Sequence, residues 1–204
     1  MFTGIIQAVG ELKRIASQGG GLRLDIAPGV LDLRDVNTGD SIAVNGVCLT
    51  VTTLADGTFS VDVSRETLSC TIGLDRRGGR VNLEKAMRLS DRLGGHLVSG
   101  HVDGIGEVVM FKPDGESYRL AIKAPASLLK YIAKKGSITV NGVSLTVNAV
   151  AGDKFEVNLI PHTLAVTTLS ALEAGAKVNL EVDMLARYVE RLIGDRLNNP
   201  ESGG

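Results

Sequence analysis

The sequence predicts an all-β chain of two similar small barrels in tandem, followed by a C-terminal α-helix. Three observations carry this: a long internal repeat, period-two alternation inside each repeat, and an excess of glycine between short apolar runs. Asn45-Gly-Val-Cys-Leu-Thr-Val51 returns as Asn141-Gly-Val-Ser-Leu-Thr-Val147, identical at six of seven positions and offset by 96 residues. The same offset pairs Thr3-Gly-Ile-Ile6 with Ser99-Gly-His-Val102, Gly10-Glu11 with Gly106-Glu107, and Ser41-Ile42 with Ser137-Ile138. It also pairs Phe59-Ser-Val-Asp-Val-Ser64 with Phe155-Glu-Val-Asn-Leu-Ile160, and Thr67-Leu68 with Thr163-Leu164. After one inserted residue, Val81-Asn-Leu-Glu84 matches Val178-Asn-Leu-Glu181. Self-similarity over this length marks a duplicated domain, since solenoid units run about 20–50 residues. The division falls near Gly95-His96-Leu97. It gives a first barrel over 1–96, a second over 97–183, a helix over 184–197 and a polar tail over 198–204, expected to be disordered.

Within each repeat the strands announce themselves by alternation. Phe59, Val61 and Val63 face one way and Ser60, Asp62 and Ser64 the other, and Phe155, Val157 and Leu159 repeat the pattern. Ile42 and Val44 alternate with Ser41, Ala43 and Asn45. Asp56-Gly57 and Gly152-Asp153 read as hairpin turns between such runs. Glycine makes up 25 of 204 residues, well above the usual share of about 7%, as many tight turns require. Several short strands in about 96 residues close most economically as a barrel, which leaves no exposed edge. Short helices interrupt the strands. Pro125 at a first helical position, with Leu128, Leu129 and Ile132 following, predicts one over 125–133. After Asp183, Leu185, Tyr188, Val189, Leu192 and Ile193 share one helical face, with Arg187, Glu190 and Arg191 elsewhere. That stripe is buried either on its own barrel or against the same helix of other chains.

Composition excludes several classes of function. The chain is 44% hydrophobic and 22% charged, an ordinary globular balance, with a formal net charge of −1. Without a basic field, no nucleic acid or anionic membrane is an expected partner. Seven aromatic residues and no tryptophan cannot make a stacking platform for single strands. No apolar run approaches the length of a membrane span, and the first residues lack the pattern of a signal peptide, so the expected location is cytoplasmic. Cys48 and Cys70 alone make neither a disulfide framework nor a zinc site. Walker A, H-E-x-x-H and G-x-S-x-G patterns are all missing, so neither a metal nor a nucleotide cofactor is expected.

The chemistry is expected where polar residues recur in both halves. The first set is Gly4, Ile5, Ile6, Cys48, Leu49, Thr50, Asp62, Val63, Ser64, Arg65, Glu66 and Thr67. The second is Gly100, His101, Val102, Ser144, Leu145, Thr146, Asn158, Leu159, Ile160, Pro161, His162 and Thr163. Taken singly, Thr50, Thr146, Thr67 and Thr163 are equally well explained as hydroxyls satisfying backbone groups at a barrel end. Taken together, small polar groups at a barrel mouth fit a small-molecule pocket. The two halves then differ in charge. Ile5 becomes His101, Gln7 becomes Asp103, Gly39 becomes Lys135, Cys48 becomes Ser144 and Glu66 becomes His162. Two similar pockets would therefore hold similar ligands in different electrostatic settings, with histidine available for proton transfer near neutrality. His96, at the link between repeats, has no special claim.

The opening Met-Phe-Thr-Gly-Ile, both Asn-Gly-Val-(Cys/Ser)-Leu-Thr-Val segments, Gly95-His-Leu-Val-Ser-Gly-His101 and Ile160-Pro-His-Thr163 resemble the trimeric, lumazine-binding riboflavin synthase family, in order and spacing over residues 1–197. The resemblance implies two six-stranded Greek-key barrels and a C-terminal helix that builds a homotrimer. It also implies active sites between the first barrel of one chain and the second of a neighbour. The implied reaction is a cofactor-free dismutation. Two 6,7-dimethyl-8-ribityllumazine molecules exchange a four-carbon unit, giving riboflavin and 5-amino-6-ribitylaminouracil. The first residue set with Cys48 and Thr50, and the second set with Lys135, Ser144 and Thr146, would line the two lumazine sites. His101 and Ser144 would move protons or position the nucleophile, Cys48 and Thr50 would serve the partner pocket and count with Thr146 among the catalytic candidates, Asp183 would assist, and Phe2 would pack at the pocket mouth. An association with lumazine synthase is a further expectation of the resemblance. The alternative is a relative that binds lumazine or flavin without catalysis.

Overall fold

In the computed structural model the alternating runs become twelve strands in two closed antiparallel barrels. Residues 1–55 and 57–198 are described, with side chains to residue 193. Asp56 of the expected first turn and residues 199–204 of the expected tail lie outside the described residues. The first barrel holds β1 (Ala8–Gln18), β2 (Gly21–Ala27), β3 (Ser41–Val44), β4 (Val47–Ala55), β5 (Thr58–Val63) and β6 (Arg80–Lys85). The second holds β7 (Gly104–Asp114), β8 (Ser117–Lys123), β9 (Ser137–Val140), β10 (Val143–Ala151), β11 (Lys154–Leu159) and β12 (Lys177–Val182). Around each barrel the order is first, second, fifth, fourth, third, sixth strand, closing back on the first. The third strand thus lies between the fourth and the sixth, reached from the second by a long connection, the Greek-key arrangement.

Alternation explains what each barrel encloses. Leu12, Leu24, Ile26, Ile42, Val51, Phe59, Val61 and Leu83 fill the first core. Val108, Leu120, Ile122, Ile138, Val147, Phe155, Val157 and Leu180 fill the second. Both barrels bend at the same places: β1 and β7 shift register at Leu12/Arg14 and Val108/Met110, and β4 and β10 at Val51/Thr53 and Val147/Ala149. A bulge bends its strand and increases local twist, which helps six short strands close on themselves.

The Asn-Gly pairs are the two-residue hairpin turns of β3–β4 and β9–β10. Asn45 and Gly46 have φ of 49° and 82°, and Asn141 and Gly142 have 48° and 82°. Positive φ at both central positions is what a type I′ turn needs. The turns also meet back to back, where a Cβ on Gly46 would lie 2.7 Å from the Gly142 nitrogen. Two buried asparagines tie the barrels there. Asn82 Nδ2 donates to the Asn141 carbonyl at 2.9 Å, and Asn179 Nδ2 to the Asn45 carbonyl at 3.0 Å. Their Oδ1 atoms accept from the Thr168 and Ile72 amides, each at 2.8 Å.

One helical expectation changes. Residues 125–133 form only a 3-10 turn over Ala126–Tyr131, with Pro125 one position before it. The turn presses Leu128 and Ile132 onto the second core. Two short α-helices follow the fifth strands, α1 (Arg65–Cys70) and α2 (Pro161–Val166). The C-terminal helix α3 (Met184–Asn198) docks on the second barrel through polar side chains. Arg187 pairs with Asp103, Glu190 pairs with Lys130, and Tyr131 Oη donates to Glu190 at 2.6 Å. Its apolar stripe is left outside: Leu185, Tyr188, Val189, Leu192 and Ile193 are 51–68% exposed.

Candidate functional site

The residues that precede each barrel do not close their own barrel. They cross to the other. Gly4 accepts a hydrogen bond from the Ser144 amide at 2.8 Å, and Ile6 packs against the second core. Gly100 accepts from the Cys48 amide at 2.7 Å, and Val102 packs against the first core. Between the crossings Phe2 and Val98 pair as a two-way bridge, at 2.8 and 3.0 Å. Phe2 is fully buried there against Ala43 and Val98, so it is a linchpin of the junction and not part of a pocket mouth.

The crossing needs glycine. A Cβ on Gly4 would lie 2.6 Å from Ser144 Cβ, and one on Gly100 2.7 Å from Cys48 Cβ. These contacts run crosswise between the repeats. Gly4, Ile5 and Ile6 stand beside Ser144, Leu145 and Thr146, while Gly100, His101 and Val102 stand beside Cys48, Leu49 and Thr50.

Each crossing segment is gripped by a buried carboxylate. Glu84 Oε1 accepts from the Thr3 amide and hydroxyl, both at 2.7 Å, and Oε2 from the Gly4 amide at 3.0 Å. Glu181 repeats the grip on the Ser99 amide and hydroxyl at 2.7 Å and on the Gly100 amide at 3.0 Å. Both are 3% exposed, and burial pushes both carboxyls above the ordinary range while the three donors pull them back. These glutamates went unassigned in the sequence, although the repeated Val-Asn-Leu-Glu was the available signal.

His96 is the third such residue. Its Nδ1 lies 2.8 Å from Ser144 Oγ, its amide donates to the Thr3 carbonyl at 3.1 Å, and the ring is 8% exposed. Burial lowers its pKa from 6.5, opposed in part by the charge of Asp183. A neutral imidazole hydrogen-bonded to a hydroxyl can take its proton. Among the described residues Nε2 is buried without a hydrogen-bond partner. His96 has no mate in the first repeat, so repeat comparison could not flag it. His101, by contrast, is exposed and stands with Ser99, Glu181, Arg187 and Tyr188 around a cleft of about 370 Å³ between the second barrel and α3.

The other expected residues divide by exposure. Leu49, Val63, Leu145 and Leu159 point into the barrels. Thr50, Thr146, Ser64, Arg65, Glu66, Ile160, Pro161 and His162 are exposed, and Thr67 and Thr163 are half-buried. Ser64 caps α1 by accepting from the Thr67 amide at 3.0 Å, whereas α2 starts on Ile160 and Pro161 without a side-chain cap. Asp62 is held by Arg23 at 2.8 and 3.0 Å, an ion pair that keeps its carboxyl below the usual range. Asn158, its mate, instead donates to Ser117 Oγ at 2.7 Å. Lys135 sits at φ 69° where Gly39 has 99°, so a lysine holds a conformation that glycine takes at less cost. Asp183 is half-buried at the start of α3 and accepts from the Leu185 amide at 3.0 Å.

Residues 3–86 and 99–183 each match the lumazine binding domain family. The chain is 50% identical over 194 residues to the riboflavin synthase of Photobacterium phosphoreum, covering 95% of this chain and 89% of that one. It is 49% identical over 198 residues to the riboflavin synthase of Mycobacterium tuberculosis (strain ATCC 25618 / H37Rv), covering 95% and 98%. To the riboflavin synthase of Bacillus subtilis (strain 168) it is 44% identical over 194 residues, covering 95% and 90%. Crystal structures of LumP superpose on 89% of this chain and 99% of their own. The riboflavin complex does so with a TM-score of 0.80 at 29% identity, and the 6,7-dimethyl-8-(1'-D-ribityl) lumazine complex with 0.80 at 27%.

Proposed function

The chain belongs to the lumazine-binding riboflavin synthase family, and from that premise we propose that it converts two molecules of 6,7-dimethyl-8-ribityllumazine into riboflavin and 5-amino-6-ribitylaminouracil. The observation that carries the reading is the pair of similar barrel mouths with unlike chemistry. A reaction between two copies of one substrate needs two similar sites. A transfer in which one copy donates four carbons and the other accepts them needs those sites to differ. Ser144 with His96 and Lys135 at one mouth, against Cys48 and Gly39 at the other, supply that difference.

The two substrates contain all the atoms of the two products, so no oxidant or reductant is consumed. What remains for the protein is proton transfer and alignment. The acidic C7 methyl of one lumazine loses a proton, and the neutral His96–Ser144 pair is suited to take it. Asp183 stabilises the histidine cation that forms, and His101 faces the neighbouring cleft. Holding two rings face to face removes the entropy of encounter, worth roughly 7–11 kcal/mol. The lining residues are Gly4 to Ile6, Ser144 to Thr146, Asn158 to Thr163 and Lys135 at one mouth. At the other they are Gly100 to Val102, Cys48 to Thr50 and Asp62 to Thr67.

The exposed stripe of α3 supports a homotrimer, in which the first barrel of one chain faces the second barrel of a neighbour. We place the reaction in the cytoplasm, and association with lumazine synthase belongs to the same reading. The LumP complexes support a second reading, a lumazine or flavin carrier without turnover. Mixing the protein with 6,7-dimethyl-8-ribityllumazine separates the two. The enzyme forms one riboflavin, seen by absorbance and fluorescence, for every two lumazines consumed and without added cofactor. A stable lumazine complex that never yields riboflavin overturns catalysis in favour of the carrier.

A further inference from the structure

We infer that Glu84 and Glu181 are positioning residues that act crosswise, each completing the ligand site of the opposite barrel from the one whose strand carries it. The inference deepens the two-site reading above and rests on it. Glu84 belongs to β6 of the first barrel, yet its three accepted hydrogen bonds hold Thr3 and Gly4. The Gly4 carbonyl takes the Ser144 amide, and the Thr3 carbonyl takes the His96 amide. Ile6, two residues on, packs on the second core. One carboxylate of the first barrel therefore fixes the backbone under the His96–Ser144 pair of the second. Glu181 on β12 does the reverse, holding Ser99 and Gly100 so that the Gly100 carbonyl meets the Cys48 amide and Val102 covers the first core.

Each carboxylate meets three buried or part-buried donors, and an apolar side chain in its place would leave all three unpaired. What the carboxylate provides is acceptance on both oxygens at once. Glutamine can keep Oε1 for Thr3 but must turn an amide N–H donor toward the Gly4 N–H, a donor facing a donor. The Gly4 segment would then lose its fixed approach to Ser144, while the barrel that carries residue 84 would keep its own core.

The test is a pair of titrations with riboflavin, a ligand that does not react alone, followed by amide signals in two-dimensional NMR. Thr67 reports the first mouth and Thr163 the second. Glu84→Gln is expected to weaken binding at Thr163 by about tenfold, the effect of losing one charge-assisted hydrogen bond, with Thr67 within about twofold of the parent. Glu181→Gln is expected to give the mirror result. If either variant does not fold, Thr3→Val and Ser99→Ala remove the hydroxyl donor to the same carboxylates, together with its longer bond from the Ile5 or His101 amide, and should show the same crosswise pattern, more weakly. Weakening at the variant's own barrel, or equally at both, overturns the inference. Failure of catalysis is read separately, from lumazine turnover by the parent. A parent that binds riboflavin without turnover leaves the crosswise test intact, and one that binds none overturns both.

Discussion

At the scale of single residues, His96 combines a buried ring, a hydroxyl partner and a nearby carboxylate, and each has a measurable consequence. Burial favours the neutral imidazole, so its pKa in the folded chain lies below the ordinary 6.5. The unfolded chain then takes up this proton first as pH falls. The stability carried by neutral His96 is complete above about 6.5, is lost as pH drops from there toward the folded value, and is fully lost below it. Ring signals followed by NMR should titrate below 6.5, and His96→Gln should flatten the stability profile over that window. A midpoint at or above 6.5 would mean that the negative charge of Asp183 outweighs burial, and the ring would be cationic when the reaction needs a base.

At the scale of elements, much was legible because the signals are local. Phe59, Val61 and Val63 lie inward as their alternation requires, and both Asn-Gly pairs make their hairpin turns. What the sequence could not tell is which repeat each opening segment serves. Thr3-Gly4 and Ser99-Gly100 are close matches, as are the segments around Cys48 and Ser144. Pairing within a repeat and pairing across repeats therefore satisfy the same hydrogen bonds, and local pattern cannot choose between them. The crosswise pairing goes with contacts between the repeats, at the Asn82 and Asn179 ties and the Phe2–Val98 bridge. His96 was obscured for the opposite reason, since a residue with no mate leaves no trace in a repeat comparison. Pro125 leads into a 3-10 turn and not an α-helix, a difference that apolar spacing over nine residues does not carry.

At the scale of the whole molecule, the helix and the two mouths have to be considered together. Through Arg187 and Glu190, α3 is fastened to its own barrel by its polar side, and five large apolar side chains face outward. Removing residues 186–204 should shift the particle mass from trimer toward monomer with the barrel cores folded, and most activity should go with it while ligand still binds. A fully active monomer, measured by light scattering beside the turnover assay, would contradict a site shared between chains. In the reading proposed above, duplication made two unequal sites for one kind of ligand, and calorimetric titration with a non-reacting lumazine analogue counts them. Two sites per chain with separable affinities are expected, because Lys135, His162 and Ser144 stand where the first repeat has Gly39, Glu66 and Cys48. A single site per chain would contradict it.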